Sequence, residues 1–388
     1  MSSTSVEIPF VNLQLQHQLI QTQLEQAILA VVQQGDFILG QALFEFEAAF
    51  AAACGCQYGI GVASGTDAIA LGLQACGIGA GDEVIVPANT FVATLIGVLR
   101  AGVTPVLVDC DPQTALIDLT AASIAVTAKT RAIIPVHLYG QMVSPRQLLD
   151  FASTYNVLIF EDAAQAHLAS REGYRAGSIG IAAAFSFYPS KNLGCFGDGG
   201  MLVTRDSMVA QRMVRLRNYG ASRKYLHTDA GTNSRLDTLQ AAVLQVKLPY
   251  LADWNRDRVT LAQKYDILLE GLRSSGVIPV QNQSGSGHAY HLYVIRVLES
   301  CFLNRQTLQE GLAGAGIQTG IHYPIPCHLQ PAFTGLGYKA GDFPYAETLA
   351  EQVLSLPMYP YLSDTQVNCV VATVQTLIAD SSTASISA

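Results

Sequence analysis

Charge is what this 388-residue chain has least of: Asp, Glu, Lys and Arg together make up 13% of it, against 50% hydrophobic residues. It holds six lysines and a single tryptophan. Its 22 basic residues are outnumbered by 30 acidic ones, for a net charge of -8. They are scattered apart from a mild group between Arg212 and Lys224, so the clustered cations that a nucleic-acid backbone requires are missing. Of eight cysteines only Cys54 and Cys56 lie close together. No second pair or nearby histidine completes a metal site, and reduced thiols in a cytoplasmic protein are the better reading. Mean hydropathy is +0.28, yet Asp, Arg, Gln, Gly or Pro interrupts every apolar stretch before it could span a bilayer. Met1 to Phe10 shows no basic region followed by an apolar core, so no signal peptide is expected. No internal repeat is present. No Gly-x-Gly-x-x-Gly follows the early strands, which counts against a dinucleotide-binding oxidoreductase.

What is present suits one large domain and a smaller one. So apolar a chain needs a big core, or much surface buried between subunits. From about Tyr58 to Thr204, short β-rich runs alternate with helical stretches. Glu83 to Pro87, Thr104 to Asp109, Arg131 to Val136 and Val157 to Glu161 read as buried strands, and Ser144 to Tyr155 as one of the helices between them. This rhythm predicts an α/β fold with a mostly parallel sheet covered by helices on both faces, its site at the carboxyl ends of the strands. After Leu248-Pro249-Tyr250 the pattern loosens into a helix from about Ala252 to Arg273, a strand from Tyr290 to Val297 and a helix from Arg305 to Ala315. The expected division is therefore 1–250, with an N-terminal helix over roughly Gln16 to Gln34 that has no partner in the first sheet, and 251–388, a smaller α+β domain. The Ser- and Ala-rich tail from Asp380 to Ala388 is expected to be disordered.

Four segments carry candidate chemistry. In Ala184-Phe185-Ser186-Phe187-Tyr188-Pro189-Ser190-Lys191-Asn192-Leu193-Gly194 a short apolar strand runs into a lysine and then a glycine-rich turn. A lysine at such a strand end can desolvate, lose its proton and form a Schiff base with an aldehyde. Ser186 and Ser190 can hydrogen-bond a phosphate. Taken alone, the segment fits a surface lysine in a glycine-rich loop equally well. Val157-Leu158-Ile159-Phe160-Glu161-Asp162-Ala163-Ala164-Gln165-Ala166-His167 is a buried strand ending in an acid. There Asp162 can keep the nitrogen of a pyridine ring protonated, Gln165 can contact a ring hydroxyl, and His167 can brace Asp162. An acid after a strand also serves as a plain helix cap. Ser64-Gly65-Thr66-Asp67-Ala68 opens a helix whose free N–H groups favour an anion. Finally, Phe91 in Pro87-Ala88-Asn89-Thr90-Phe91-Val92-Ala93-Thr94 is placed to stack on a flat ring, although an isolated aromatic is more often core.

Gly35-Asp36-Phe37-Ile38-Leu39-Gly40, Ser64-Gly65-Thr66-Asp67-Ala68, Glu161-Asp162-Ala163-Ala164-Gln165-Ala166-His167, Ser190-Lys191-Asn192-Leu193-Gly194, Gly197-Asp198-Gly199-Gly200 and Asn233-Ser234-Arg235-Leu236-Asp237-Thr238-Leu239-Gln240-Ala241-Ala242 resemble the DegT/DnrJ/StrS family of sugar aminotransferases. They do so in family order over nearly the whole chain. The resemblance implies the fold-type I, aspartate-aminotransferase-like architecture and pyridoxal 5'-phosphate as cofactor. It implies Lys191 as the residue that holds the cofactor and Asp162 as the partner of its ring nitrogen. Gly65, Thr66 and Ser186 would bind the phosphate, Phe91 the ring face and Gln165 the ring oxygen. Asn233 would reach the phosphate of a neighbouring subunit, which implies a homodimer with shared sites.

Arg217-Asn218-Tyr219-Gly220, Lys224-Tyr225-Leu226-His227, Ile321-His322-Tyr323-Pro324 and Leu356-Pro357-Met358-Tyr359-Pro360 resemble the branch that aminates C3 of a nucleotide-linked 3-keto-6-deoxyhexose, usually dTDP-linked, with L-glutamate as donor. A UDP-linked 3-keto uronic acid or a 4-keto sugar is the alternative substrate. A cofactor- or sugar-binding regulator is the alternative outside enzymes, and a dehydratase, in which histidine replaces the lysine, is disfavoured by Lys191. Tyr188, Tyr225, His322 and Tyr323 are the candidates for sugar contact, and Arg217, Arg223 or Lys224 for the pyrophosphate. No metal is expected.

Overall fold

The computed structural model describes residues 7–386. Among them, seven strands form one sheet in the order Tyr58–Val62, Gly200–Thr204, Ala182–Ser186, Leu158–Asp162, Thr130–Ile133, Glu83–Pro87, Thr104–Val108. The last five are mutually parallel, and Gly200–Thr204 runs antiparallel to both of its neighbours. Side chains such as Val84, Ile85, Val86, Ala183 and Phe185 are fully buried, as strands covered on both faces must be. Helix Gly65–Ala75 is apolar nearly all round, with Ala68 to Leu73 buried, which marks a helix enclosed on every side rather than a surface one. The strand predicted from Val157 to Glu161 extends one residue further, to Asp162, so the acid lies within the sheet.

A three-stranded antiparallel sheet, Val277–Pro279, Tyr293–Val297 and Val353–Leu356, organises the second core. Helices Leu251–Leu269, Arg305–Gly314 and Asp364–Ile386 surround it, with Tyr265, Ile295, Leu308 and Val370 inside. The predicted strand from Tyr290 begins only at Tyr293, because residues before it turn aside to bond the large sheet's loops, Ala289 N–H donating to Gly140 O at 2.9 Å.

Two other expectations are corrected. The single N-terminal helix is two, Leu13–Gln18 and Gln21–Gln34. The chain breaks between them so that Ile20, 1% exposed, can pack with Leu24, Val243 and Trp254. Its partner is thus helix Thr238–Lys247 and the start of Leu251–Leu269, not the sheet. The tail expected to be disordered continues the last helix through Ile386. Ser and Ala do not break a helix, and the Ser381 hydroxyl donates back to Leu377 O at 2.9 Å. Residues 387–388 lie outside the described residues.

Helix Gln41–Ala53 is fastened to the edge strand by a buried ion pair between Glu47 and Arg217. Gly61 N–H donates to the same carboxylate at 2.7 Å, and Arg217 donates to Gly61 O at 2.8 Å. Removing one partner strands the other charge, at a cost of about 3–5 kcal/mol. Glu47→Ala should therefore lower the unfolding free energy by about that amount in a denaturant titration, and Glu47→Leu combined with Arg217→Met by much less. A single variant as stable as the parent would contradict this account.

Candidate active site

The site forms where strand ends converge. Asp162 closes the central strand and is 5% exposed. Its Oδ2 accepts from Thr94 Oγ1 at 2.7 Å and its Oδ1 from Ala164 N–H at 3.1 Å. One strand over, Lys191 follows Ala182–Ser186 in a turn closed by its own N–H donating to Tyr188 O at 2.9 Å. Asn192, 2% exposed, anchors that turn to Ala289 O at 2.7 Å and Asn255 Oδ1 at 2.8 Å. Burial pushes the half-buried Lys191 amine from an ordinary 10.5 to about 8, against the opposing pull of the Asp162 carboxylate.

The anion seat lies at the start of helix Gly65–Ala75. The Ser64 side chain caps it by accepting from Asp67 N–H at 3.1 Å. The N–H groups of Gly65 and Thr66 find no acceptor among the described residues, so they remain available to an anion. The seat exists only because two neighbours lack side chains. A Cβ on Gly65 would stand 2.9 Å from Ser186 Cβ, and one on Gly200 only 2.3 Å from the Ser64 carbonyl carbon. Ser186 thereby reaches the same opening as Gly65 and Thr66. An amine, a buried carboxylate and a phosphate cradle around one crevice fit a cofactor with an aldehyde, a ring nitrogen and a phosphate.

Phe91, the residue just before helix Val92–Arg100, is 49% exposed, its ring centroid 5.0 Å from that of Tyr323. Tyr323 Oη accepts from Gln165 Nε2 at 3.0 Å, and Gln165 Oε1 accepts from Tyr139 N–H at 2.6 Å. His322 pairs with Ser355 Oγ at 2.9 Å. Burial first and the Lys191 charge second push its imidazole down to about 4. Lys191, Asp162, Gln165, Phe91, His322, Tyr323 and the phosphate cradle are therefore brought together. Tyr188 is 56% exposed beside Ser186. Tyr225 projects from the hairpin Ala221–Arg223 and Leu226–His227, 86% exposed. Asn233 is exposed, paired through its backbone with Asn218.

Two roles assigned from sequence are corrected. His167 does not brace Asp162. Its Nε2–H donates to Ser186 O at 2.9 Å, and its ring lies among Phe50, Phe185 and Phe187. It therefore fixes the strand end that carries Ser186. Arg217 is 3% exposed and committed to Glu47, so it is not open to a pyrophosphate. Sequence reasoning missed Thr94 as the group on Asp162, because its helix, Val92–Arg100, meets the acid only through the fold. It also missed His291, buried beside Lys191 and bonded to Asn192 at 3.2 Å, for which the sequence carries no local signal. Cavities of about 620, 540 and 530 Å³ have neither Lys191 nor Asp162 in their walls.

Residues 18–375 match the DegT/DnrJ/EryC1/StrS aminotransferase family. The chain is 45% identical over 370 residues to the erythromycin biosynthesis sensory transduction protein EryC1 of Saccharopolyspora erythraea, covering 95% of this chain and 99% of that one. It is 44% identical to the dTDP-3-amino-3,4,6-trideoxy-alpha-D-glucose transaminase of Streptomyces venezuelae, covering 92% and 93%. The crystal structure of S. venezuelae DesV in complex with a ketimine intermediate superimposes with a TM-score of 0.90 at 42% identity, covering 95% of this chain and 98% of that one. By sequence and by fold, the chain belongs to the DegT/DnrJ/EryC1/StrS aminotransferase family and is a pyridoxal-phosphate-dependent aminotransferase.

Proposed function

We propose that the protein moves an amino group from L-glutamate to C3 of a nucleotide-linked 3-keto-6-deoxyhexose, dTDP-linked, in deoxyamino sugar biosynthesis. It would do so as a cytoplasmic homodimer with shared active sites. The observation that carries the chemistry is the Lys191 amine, pushed to about 8 beside the buried Asp162. That arrangement serves reaction rather than sensing, and favours an enzyme although the Saccharopolyspora relative bears a regulatory name. The similarity to a dTDP-3-amino sugar transaminase supports the sugar and the carbon.

When bound, pyridoxal phosphate supplies an electron sink for the carbon that bears the amine. The chain's residues do the rest. Gly65, Thr66 and Ser186 would hold the phosphate. Phe91 would cover one ring face, and Gln165 would meet the ring oxygen. Asp162 would keep the ring nitrogen protonated, acting only through its charge. Lys191 would hold the cofactor and, once displaced by the substrate amine, carry one proton between the substrate carbon and the cofactor's C4′. Tyr188, Tyr225, His322 and Tyr323 would contact the sugar. Asn233, exposed here, would complete the phosphate site of the partner subunit.

Incubation with a dTDP-linked 3-keto-6-deoxyhexose and glutamate should yield 2-oxoglutarate and a sugar with nitrogen on C3, identified by NMR. Turnover of a 4-keto sugar alone would refute the regiochemistry. Lys191→Ala should abolish turnover while leaving a folded dimer. Asp162→Asn should keep the cofactor yet lose at least about a hundredfold in rate, as for removal of a preorganised charge. An Asp162→Asn enzyme that matches the parent would remove Asp162 from this role.

Subunit mixing addresses the shared site. Heterodimers of Lys191→Ala and Asn233→Ala chains carry both lesions in one site and neither in the other. Partial recovery of activity is expected on mixing, and proven subunit exchange without recovery would contradict the sharing.

The pH dependence follows from the amine. Capture of the cofactor by the cofactor-free protein requires neutral Lys191, so its rate should climb with pH and level off near the amine's value of about 8. In Asp162→Asn the midpoint should fall, because the carboxylate raises it. A rate still climbing toward the ordinary lysine value would contradict the burial argument.

A further inference from the structure

Asp162 is held by a relay of two buried threonines that its role as partner of the ring nitrogen does not by itself require. Thr94, 1% exposed, donates from Oγ1 to Asp162 Oδ2 at 2.7 Å. Thr90, 2% exposed, lies 2.7 Å from Thr94 Oγ1. A carboxylate only accepts, so the one Thr94 proton is committed to Asp162, and Thr90 must be the donor to Thr94. The direction of the relay is thus fixed as Thr90 to Thr94 to Asp162.

This is not the ordinary state of a helical threonine. Such a hydroxyl usually turns back to the carbonyl four residues earlier. Here that carbonyl, Thr90 O, takes the Cys327 thiol at 3.3 Å, while both threonine hydroxyls point along the path to Asp162. With Ala164 N–H on the other oxygen at 3.1 Å, the carboxylate is gripped at both ends. Its side-chain torsion is set, and the lone pairs left over have one direction available. The relay also begins on the residue before Phe91. One turn of chain therefore sets both the aromatic that meets a ring face and the carboxylate that meets the ring's nitrogen.

We propose that Thr94, supported by Thr90, is a positioning residue that orients Asp162 toward the ring nitrogen of the cofactor and so sets the strength of that contact. The proposal rests on the reading of Asp162 given above and concerns residues to which that reading gave no part.

The test compares cofactor binding by the cofactor-free full-length protein, read from fluorescence at equilibrium, for pyridoxal phosphate and for an analogue with C–H in place of the ring nitrogen. The parent should prefer the natural cofactor. Thr94→Val keeps the shape and removes the hydroxyl. That preference should then fall about tenfold, the scale of one hydrogen bond to a charged group. Thr94→Ser restores the donor and should restore the preference. Thr90→Val leaves Thr94 able to donate and should lose about threefold or less. Thermal unfolding of each variant without cofactor reports its folding separately. A folded Thr94→Val that binds both compounds more weakly by the same factor would overturn the proposal, because Thr94 would then be structural only. So would a Thr94→Val whose preference equals the parent's, or a Thr94→Ser that fails to recover it. If the parent itself shows no preference between the two compounds, the reading of Asp162 fails, and this proposal fails with it.

Discussion

Two carboxylates stand side by side at the carboxyl end of the central strand, and burial obliges each to find donors. Glu161 and Asp162 are neighbours on a strand, so they face opposite sides of the sheet. Glu161 is fully satisfied. It accepts from His137 Nε2 at 3.0 Å and from the N–H groups of Gly177, Ile179 and Gly180 at 2.8, 2.8 and 3.1 Å. Val143 N–H donates to the other nitrogen of that histidine at 3.2 Å, so the nitrogen that faces the acid is the one that donates. His137 N–H also donates to Asp162 O at 3.0 Å. One acid thus fastens the end of the strand, and the other is left with two donors and an open side.

The surroundings of that open side keep its charge relevant. His167 and His322 are pushed to about 3 and about 4, mainly by burial, and His291 is pushed well down for the same reason. In each case the Lys191 charge acts in the same direction, so the three imidazoles stay neutral around the lysine. Neutral neighbours leave Lys191 and Asp162 to set the local field. An amine that can be neutral near pH 8, beside an acid held by two donors, suits the proposed division of labour between a proton carrier and a fixed charge.

The sequence made the local parts of this arrangement readable. Glu83–Pro87 was bounded by its own apolar run, and the lysine turn and the acid after a buried run stood out because strand ends are where such residues are informative. Contacts distant in sequence were not readable. Nothing near Arg217 announces Glu47, 170 residues away, so a buried structural cation passed for a ligand-binding one. The break before Gln21 depends on Ile20 reaching Trp254, and the Thr94 contact on a helix packing 68 residues from the acid. His167 was read as a brace for Asp162 because the two are close in sequence, whereas the fold turns its ring to Ser186 instead.

The central claim, that Lys191 rather than any other amine holds the cofactor, has a direct competitor within the same structure. Lys247 is buried and likewise pushed to about 8, and its Nζ lies 2.6 Å from Gly194 O in the turn after Lys191. Hydride reduction of the cofactor-loaded protein followed by peptide mass spectrometry tells the two apart, because reduction fixes the cofactor to whichever lysine holds it. The account predicts the label on the peptide containing Lys191 and on no other. A label on Lys247 would contradict it.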